Sequence, residues 1–257
     1  MKTIILAGGL GTRLREETEF KPKPMVLIGK YPIIWHIMKI YSTYEQNNFI
    51  ICAGYKGEQI KEYFRNIGTS NLDFTINLGP ENSIELHEEP PALGWSVTIA
   101  DTGNSASTTS RIIKVKKYLN NETFMCTYGD GLSDINIKKL INFHRSHGKI
   151  ATVTCIHQAS RFGKLQIGSD GLVQKFEEKP LTTDWVNGGF FVFEPEIFDY
   201  LSDDMPLEEG AFSKLVEDAE LVAYQHDGYW QSMDTYREVL LLNEIWESGL
   251  APWKVWN

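Results

Sequence analysis

The 257-residue chain reads as an α/β fold with a mixed, mostly parallel sheet, helices on both faces and small antiparallel additions. Three observations predict it. Short apolar, partly β-branched runs recur, several of them leading into glycine. The segments between them place apolar residues at helical spacing. Shorter alternating runs, at about 72–101 and 163–193, read as antiparallel pieces added to the main sheet.

The elements follow in order. TIILA, Thr3 to Ala7, is a buried strand. PIIWHIMKIYSTYE opens with Pro32, a good first helical residue, and Ile33, His36, Ile37, Ile40 and Tyr41 share one face. FIICAGY is the second buried strand. GEQIKEYFRNI is the second helix, with Ile60, Tyr63, Phe64 and Ile67 in step. TFMCTYGDG is a strand with a glycine-rich exit, INIKKLINFHRSHG a helix closed by Gly148, and ATVTCIH a further strand. Strand–helix–strand connections of this length give a Rossmann-like parallel core, read here as one domain over residues 1–257. In such sheets ligands bind outside the carboxyl ends of the strands.

Composition narrows the function classes. A hydrophobic fraction of 42% and a charged fraction of 23% are globular values. No apolar run approaches the roughly 18 residues of a membrane span, and Thr3 to Ala7 is too short for a secretory segment, so a cytoplasmic chain is expected. A net charge of −9 argues against a general nucleic-acid binder. It leaves room for a small anionic substrate, because exposed charges beyond about 8 Å are screened and Arg13, Arg15, Lys21 and Lys23 are local. Cys52, Cys126 and Cys155 sit singly in apolar runs and read as buried, reduced side chains. His144 and His147, one helical turn apart, read as a solvated helix face, and Trp246, Trp253 and Trp256 as packing anchors.

The opening stretch, LAGGLGTRL, carries the first chemistry. A dinucleotide loop needs G-x-G-x-x-G, but Leu14 occupies the third glycine position. A Walker loop needs Lys-Ser or Lys-Thr after its glycines, and neither follows. A plain strand-to-helix turn explains one or two glycines, not Gly8, Gly9 and Gly11 followed by Thr12, Arg13 and, ten residues on, KPKPM. Glycines let backbone N–H groups approach an anion closely, and arginine clamps phosphate with two donors.

With these pieces together, the chain resembles the sugar-1-phosphate nucleotidylyltransferases. LAGGLGTRL with KPKPM is similar to their signature loop, and TYGDG, FEEKP, VNGGFFVFEP and WQSMDTYREVLLLNEIWESGLAPWK follow in order, covering nearly the whole chain. The last two are most similar to the branch that makes CDP-glucose. The resemblance implies that CTP and glucose 1-phosphate are the substrates, Mg²⁺ the cofactor and a homo-oligomer the assembly. It implies that Leu6, Ala7, Gly8, Gly9, Gly11, Thr12, Arg13, Lys23, Thr109, Arg111 and Gly129 contact the nucleotide. Arg13, Lys23 and Asp130 carry the catalytic roles, Asp130 and Asp234 the metal, and Glu178, Lys179 and Asn187 the sugar phosphate. One departure concerns DTGNSASTTSRI, where Thr109 and Ser110 replace the family's usual pair of glycines before Arg111.

The chemistry asks for such residues. Attack of a sugar-phosphate oxygen on the α-phosphorus of a nucleotide brings anions together, so neutralisation and alignment dominate. Mg²⁺ takes one or two carboxylates plus phosphate oxygens. Lys21 and Lys23 flank Pro22 in an extended stretch; Lys23 is the catalytic candidate and Lys21 the one expected to meet solvent. A relative with another nucleotide or phosphorylated acceptor, and a non-catalytic nucleotide-sugar sensor, are the alternatives. Gly-Asp-Gly in place of Asp-x-Asp counts against a glycosyltransferase.

Overall fold

The computed structural model describes residues 1–69, 72–80, 82–89, 92–160, 162–178, 180–202 and 205–256. In chain order the strands are β1 (Lys2–Leu6), β2 (Leu27–Ile28), β3 (Tyr31–Pro32), β4 (Asn48–Ala53), β5 (Phe74–Asn77), β6 (Ser83–Leu86), β7 (Ser96–Asp101) and β8 (Phe124–Tyr128). They continue with β9 (Gly131–Ser133), β10 (Ala151–Ala159), β11 (Lys164–Ile167), β12 (Val173–Glu177), β13 (Leu181–Asn187), β14 (Phe191–Phe193), β15 (Leu221–His226) and β16 (Trp230–Ser232). The helices are α1 (Arg15–Thr18), α2 (Ile33–Ser42), α3 (Gly57–Asn66), α4 (Thr108–Val115), α5 (Ile137–His147), α6 (Ala211–Glu217) and α7 (Tyr236–Glu247).

The central sheet runs β13-β10-β14-β8-β1-β4-β7, with β15 also on β10. β8, β1, β4 and β7 are mutually parallel, as are β10 and β15, while β14 and β13 join antiparallel. Successive residues of β1 face opposite ways. Ile5 packs among α2, α5 and α7, and Ile4 and Leu6 among α4 and α6. That alternation puts helices on both faces, as the sequence predicts. Of the two stretches read as antiparallel additions, parts form the separate β5–β6 and β11–β12 hairpins. But β7, at the end of the first, belongs to the main sheet and runs parallel to β4, and β13 and β14, in the second, are antiparallel strands of the main sheet itself. Among the described residues no helix is long and apolar enough to cross a membrane. The parallel strands all deliver their carboxyl ends to one edge, so the loops after Leu6, Ala53, Asp101 and Tyr128 meet there.

Two local readings need correction. Helix α2 is buried almost all round, Lys39 and Ser42 excepted, rather than along one stripe. Its outer side is covered by an aromatic cluster: Tyr31 stacks on Trp35 at 3.9 Å, and Trp246, Trp253 and Trp256 pack about His36. Pro32 precedes the helix as its cap and pairs in β3. His144 faces inward instead of toward solvent and is 1% exposed. The N–H of Lys149 donates to His147 Nδ1 at 3.0 Å, so neutral His147 carries its proton on Nε2, 2.8 Å from Thr152 Oγ1. The Thr152 hydroxyl then donates to His144 Nδ1 at 2.8 Å, and His144 Nε2–H donates to Glu194 at 3.1 Å. An interior polar chain of this kind ties α5 to β10, and helical spacing alone does not announce it.

Burial of His36 makes stability depend on pH. Its Nε2–H donates to Ile28 O at 3.0 Å, and Nδ1 accepts from Trp253 Nε1–H at 3.4 Å, so the ring is held neutral. Burial pushes its pKa down to about 4, outweighing the backbone hydrogen bonds that favour the charged form. The unfolded ring takes its proton near 6.5 and the folded ring only near 4, so stability is full above pH 6.5 and is lost as pH falls through that window. The loss reaches roughly 3 kcal/mol at about 1.4 kcal/mol per unit. His144, also lowered chiefly by burial, acts in the same direction. Guanidinium unfolding at pH 7 and pH 4.5 is expected to show the drop, and His36→Gln to flatten it. An equal drop in His36→Gln would assign the effect to other groups.

Candidate active site

The glycine-rich loop leaves β1 already tied to its neighbours. Ala7 N donates to Cys52 O at 3.1 Å, Tyr55 N to Gly8 O at 3.3 Å and Gly129 N to Leu6 O at 3.1 Å. Gly11 has φ +64°, the left-handed region that favours glycine, and Leu14 N closes the turn on Gly11 O at 2.9 Å. Leu14, the residue that breaks the dinucleotide pattern, is fully buried and anchors the loop in the core.

Arg111 holds this loop from beneath. Its Nη2 donates to Gly8 O at 2.9 Å, and its Nη1 to Thr102 Oγ1 at 2.6 Å and Gly103 O at 2.8 Å. Side chain and loop are in close contact: a Cβ on Gly8 would stand 2.0 Å from Arg111 Nη1. Only glycine fits there. Arg111 is 4% exposed, and burial lowers its pKa. The segment that carries it starts at Ser107, whose hydroxyl caps α4 by accepting from Ser110 N at 3.1 Å. The run that departs from the usual glycines is therefore the first turn of a capped helix.

The charged centre lies above the loop. Lys23 Nζ is 2.6 Å from Asp130 Oδ2 and 2.7 Å from Asp234 Oδ1. Arg13 adds a two-pronged contact to Asp234, with both N–O distances 3.1 Å. The carboxylates lie far apart in sequence and meet because β9 and β16 pair with Gly131 opposite Ser232. Met233 N donates to Asp130 O at 2.9 Å and completes that junction. Asp234 also stands just before α7, whose Thr235–Glu238 capping box takes its N–H at 2.6 Å, and a negative charge is favoured at a helix N-terminus. Burial alone would raise the Asp234 pKa, but the Lys23 ammonium and Arg13 hold it below the usual carboxylate value. Burial likewise works against charge on Lys23, and the two aspartates outweigh it and raise its pKa.

A second polar group stands beside this centre. Tyr128 donates its hydroxyl to Glu208 and accepts from Asn187 Nδ2 at 3.3 Å. Asn187 Oδ1 in turn takes the N–H of Gly189 at 2.9 Å, which fixes the amide. Glu178 follows β12 and is exposed. Lys179 lies outside the described residues.

The chain from residue 2 to 241 matches the model of the family described as nucleotidyl transferase. The chain belongs to the nucleotidyl transferase family. Full-length likeness narrows the comparison: this nucleotidyl transferase is 48% identical over 263 residues to glucose-1-phosphate cytidylyltransferase of Salmonella typhimurium, covering 100% of both chains. It is 28% identical to mannose-1-phosphate guanylyltransferase catalytic subunit beta of Drosophila pseudoobscura pseudoobscura, over 93% of this chain and 60% of that one. Among solved structures, HddC from Yersinia pseudotuberculosis complexed with GMP-PN shares the fold with a TM-score of 0.67 at 22% identity, over 95% of this chain and 99% of that one.

Most of the nucleotide residues expected from the sequence line one cleft of about 290 Å³ in this nucleotidyl transferase. Leu6, Ala7, Gly8, Gly9, Gly11, Thr12, Arg13, Lys23, Arg111, Gly129 and Asp130 are on its wall. Thr109 is 1% exposed and lies beneath, while its neighbour Thr108 lines the cleft with Ala106, Pro24 and Tyr128. The one-residue difference follows from the helical register set by the Ser107 cap. Thr102 and Glu208 are further polar residues that sequence reasoning passes over. Lys21 pairs with Glu17 at 3.2 Å, apart from the centre.

The donor set suits a hard divalent cation. Asp130 and Asp234 present oxygen ligands to one shared point, where the Lys23 ammonium now stands as a cation between them. Among the described residues no third histidine, cysteine or carboxylate joins them in a metal-holding group.

Proposed function

We propose that this enzyme transfers a cytidylyl group from CTP to α-D-glucose 1-phosphate, giving CDP-glucose and pyrophosphate. The observation that carries the reading is the 48% identity, end to end, with a glucose-1-phosphate cytidylyltransferase. In this reading the loop from Gly8 to Arg13 takes the triphosphate, with backbone N–H groups and the Arg13 guanidinium as donors. Arg111 keeps the loop in shape, and Asn187, Tyr128, Glu178 and Lys179 form the sugar-phosphate side. Asp130 and Asp234 would hold Mg²⁺, which when bound neutralises phosphate charge and aligns oxygens.

The sugar phosphate is ionised at neutral pH, so no side chain has to remove a proton and no covalent intermediate is needed. One of its oxygens attacks the α-phosphorus, the bond to the β-phosphate oxygen breaks, and pyrophosphate carries the electron pair away. Charge shifts onto the leaving group, and in this reading Lys23 and Arg13, both on the wall of the cleft, are the cations that meet it. The C1–O bond of the sugar is untouched, and the anomeric configuration is retained. Assembly of several copies in the cytoplasm is part of the same reading. Exposed apolar side chains on the two hairpins, among them Ile84, Ile167 and Phe176, support assembly.

Pyrophosphate release measured with CTP, UTP, dTTP and GTP against a panel of sugar 1-phosphates tests the proposal. CTP with glucose 1-phosphate is expected to give the highest kcat/KM, with dependence on Mg²⁺. A higher kcat/KM with another nucleotide would replace the cytidylyl assignment.

A further inference from the structure

The position of Lys23 has a consequence for the order in which the site fills. Its ammonium has three protons, and two of them are given to the carboxylates of Asp130 and Asp234, at 2.6 Å and 2.7 Å. The side chain is 11% exposed. Arg13 contacts both oxygens of Asp234 at 3.1 Å. Two carboxylates and two cations thus form a closed set with no net charge. A divalent cation on the same carboxylates would stand against an ammonium at contact distance, where repulsion between like charges is steep.

We propose that Lys23 is a built-in counter-cation that excludes divalent metal from Asp130 and Asp234 until nucleotide phosphates draw it away. Lys23 lines the phosphate-loop cleft, so a triphosphate there offers the ammonium new anionic partners within reach of its own side chain. Its departure frees the Asp130 carboxylate, leaves Asp234 paired with Arg13 alone, and creates the metal site at the moment the phosphates that complete it are present. Lysine and metal are then negatively coupled, and nucleotide relieves the coupling. The inference rests on the reading of Asp130 and Asp234 as metal carboxylates.

The test uses Mn²⁺ as the probe, followed by loss of its free-ion paramagnetic resonance signal, on full-length protein without nucleotide. Lys23→Met is expected to bind one Mn²⁺ more tightly than wild type, by roughly 5–150-fold, the usual span of site–site coupling. Adding Asp234→Asn to Lys23→Met is expected to abolish the gain. Equal Mn²⁺ affinity in wild type and Lys23→Met overturns the proposal. A gain that survives Asp234→Asn overturns the carboxylate reading instead, because the metal then binds elsewhere. A second measurement does not need Lys23→Met to fold. Reductive methylation read by peptide mass spectrometry should find Lys23 slow in wild type and several-fold faster in Asp130→Asn/Asp234→Asn. Equal rates would show that the carboxylates do not hold the lysine in solution, and the proposal falls.

Discussion

Replacing Asp234 by Asn is expected to lower kcat by about 10²–10³ while the protein stays folded, and Asp130→Asn to do the same. The amide keeps the shape of the carboxylate and loses its charge. The main-chain bonds that place each residue survive: Asp130 still accepts from Met233 N, and Asp234 still donates its N–H to Glu238. The Thr235–Glu238 capping box of α7 is untouched. What disappears is an anionic anchor for Lys23 and, in the proposed reaction, a ligand for Mg²⁺. Steady-state kinetics with circular dichroism as the fold control is the measurement. Near-normal turnover in either variant would remove that aspartate from the chemistry.

The second large effect is expected at Arg111. Arg111→Ala removes the guanidinium donors from Thr102 Oγ1 and Gly103 O and leaves Gly8 O with Tyr55 N alone. A buried acceptor left unsatisfied costs roughly 1–3 kcal/mol, and water entering the vacated space recovers part of it. A net loss of about 3–5 kcal/mol is a large share of the usual 5–15 kcal/mol. At roughly 2–4 °C per kcal/mol for a chain of this size, Tm falls by about 6–20 °C. Activity should fall with it, because the loop loses its pin at Gly8. Arg111→Lys should recover only part of both, since an ammonium lacks the planar fork that reaches three acceptors on two segments. Thermal melting of the three proteins checks this. An unchanged Tm in Arg111→Ala would mean that the loop is held by its main-chain bonds alone.

The sequence made some of this site legible and hid the rest for physical reasons. The glycine loop and the Gly-Asp-Gly exit of β8 are continuous stretches at strand ends, where a parallel sheet puts its ligand, so local pattern suffices. The meeting of Asp130 with Asp234 depends on β9 and β16, strands of three residues each, too short to show alternation. The work of Arg111 depends on acceptors from separate segments, and only folding brings Gly8, Thr102 and Gly103 to one guanidinium. His144 looked like a solvated residue because its partners, Thr152 and Glu194, come from other elements. The parallel strands β1, β4 and β8 were legible because they are buried along almost their whole length and show continuous apolar runs, whereas the part-exposed β7 alternates and read as an antiparallel piece.

The central claim is that a phosphate oxygen of glucose 1-phosphate becomes bonded to the α-phosphorus of CTP, with pyrophosphate as the leaving group. Glucose 1-phosphate labelled with ¹⁸O at its three non-bridging phosphate oxygens tests it in one experiment. The products of a single turnover with CTP are separated and weighed by mass spectrometry. Direct attack places all three labels in CDP-glucose, one of them in the bridge between the phosphorus atoms, and leaves pyrophosphate unlabelled. Label in the pyrophosphate, or CDP-glucose that has lost label, would mean that a different bond is made and would contradict the account.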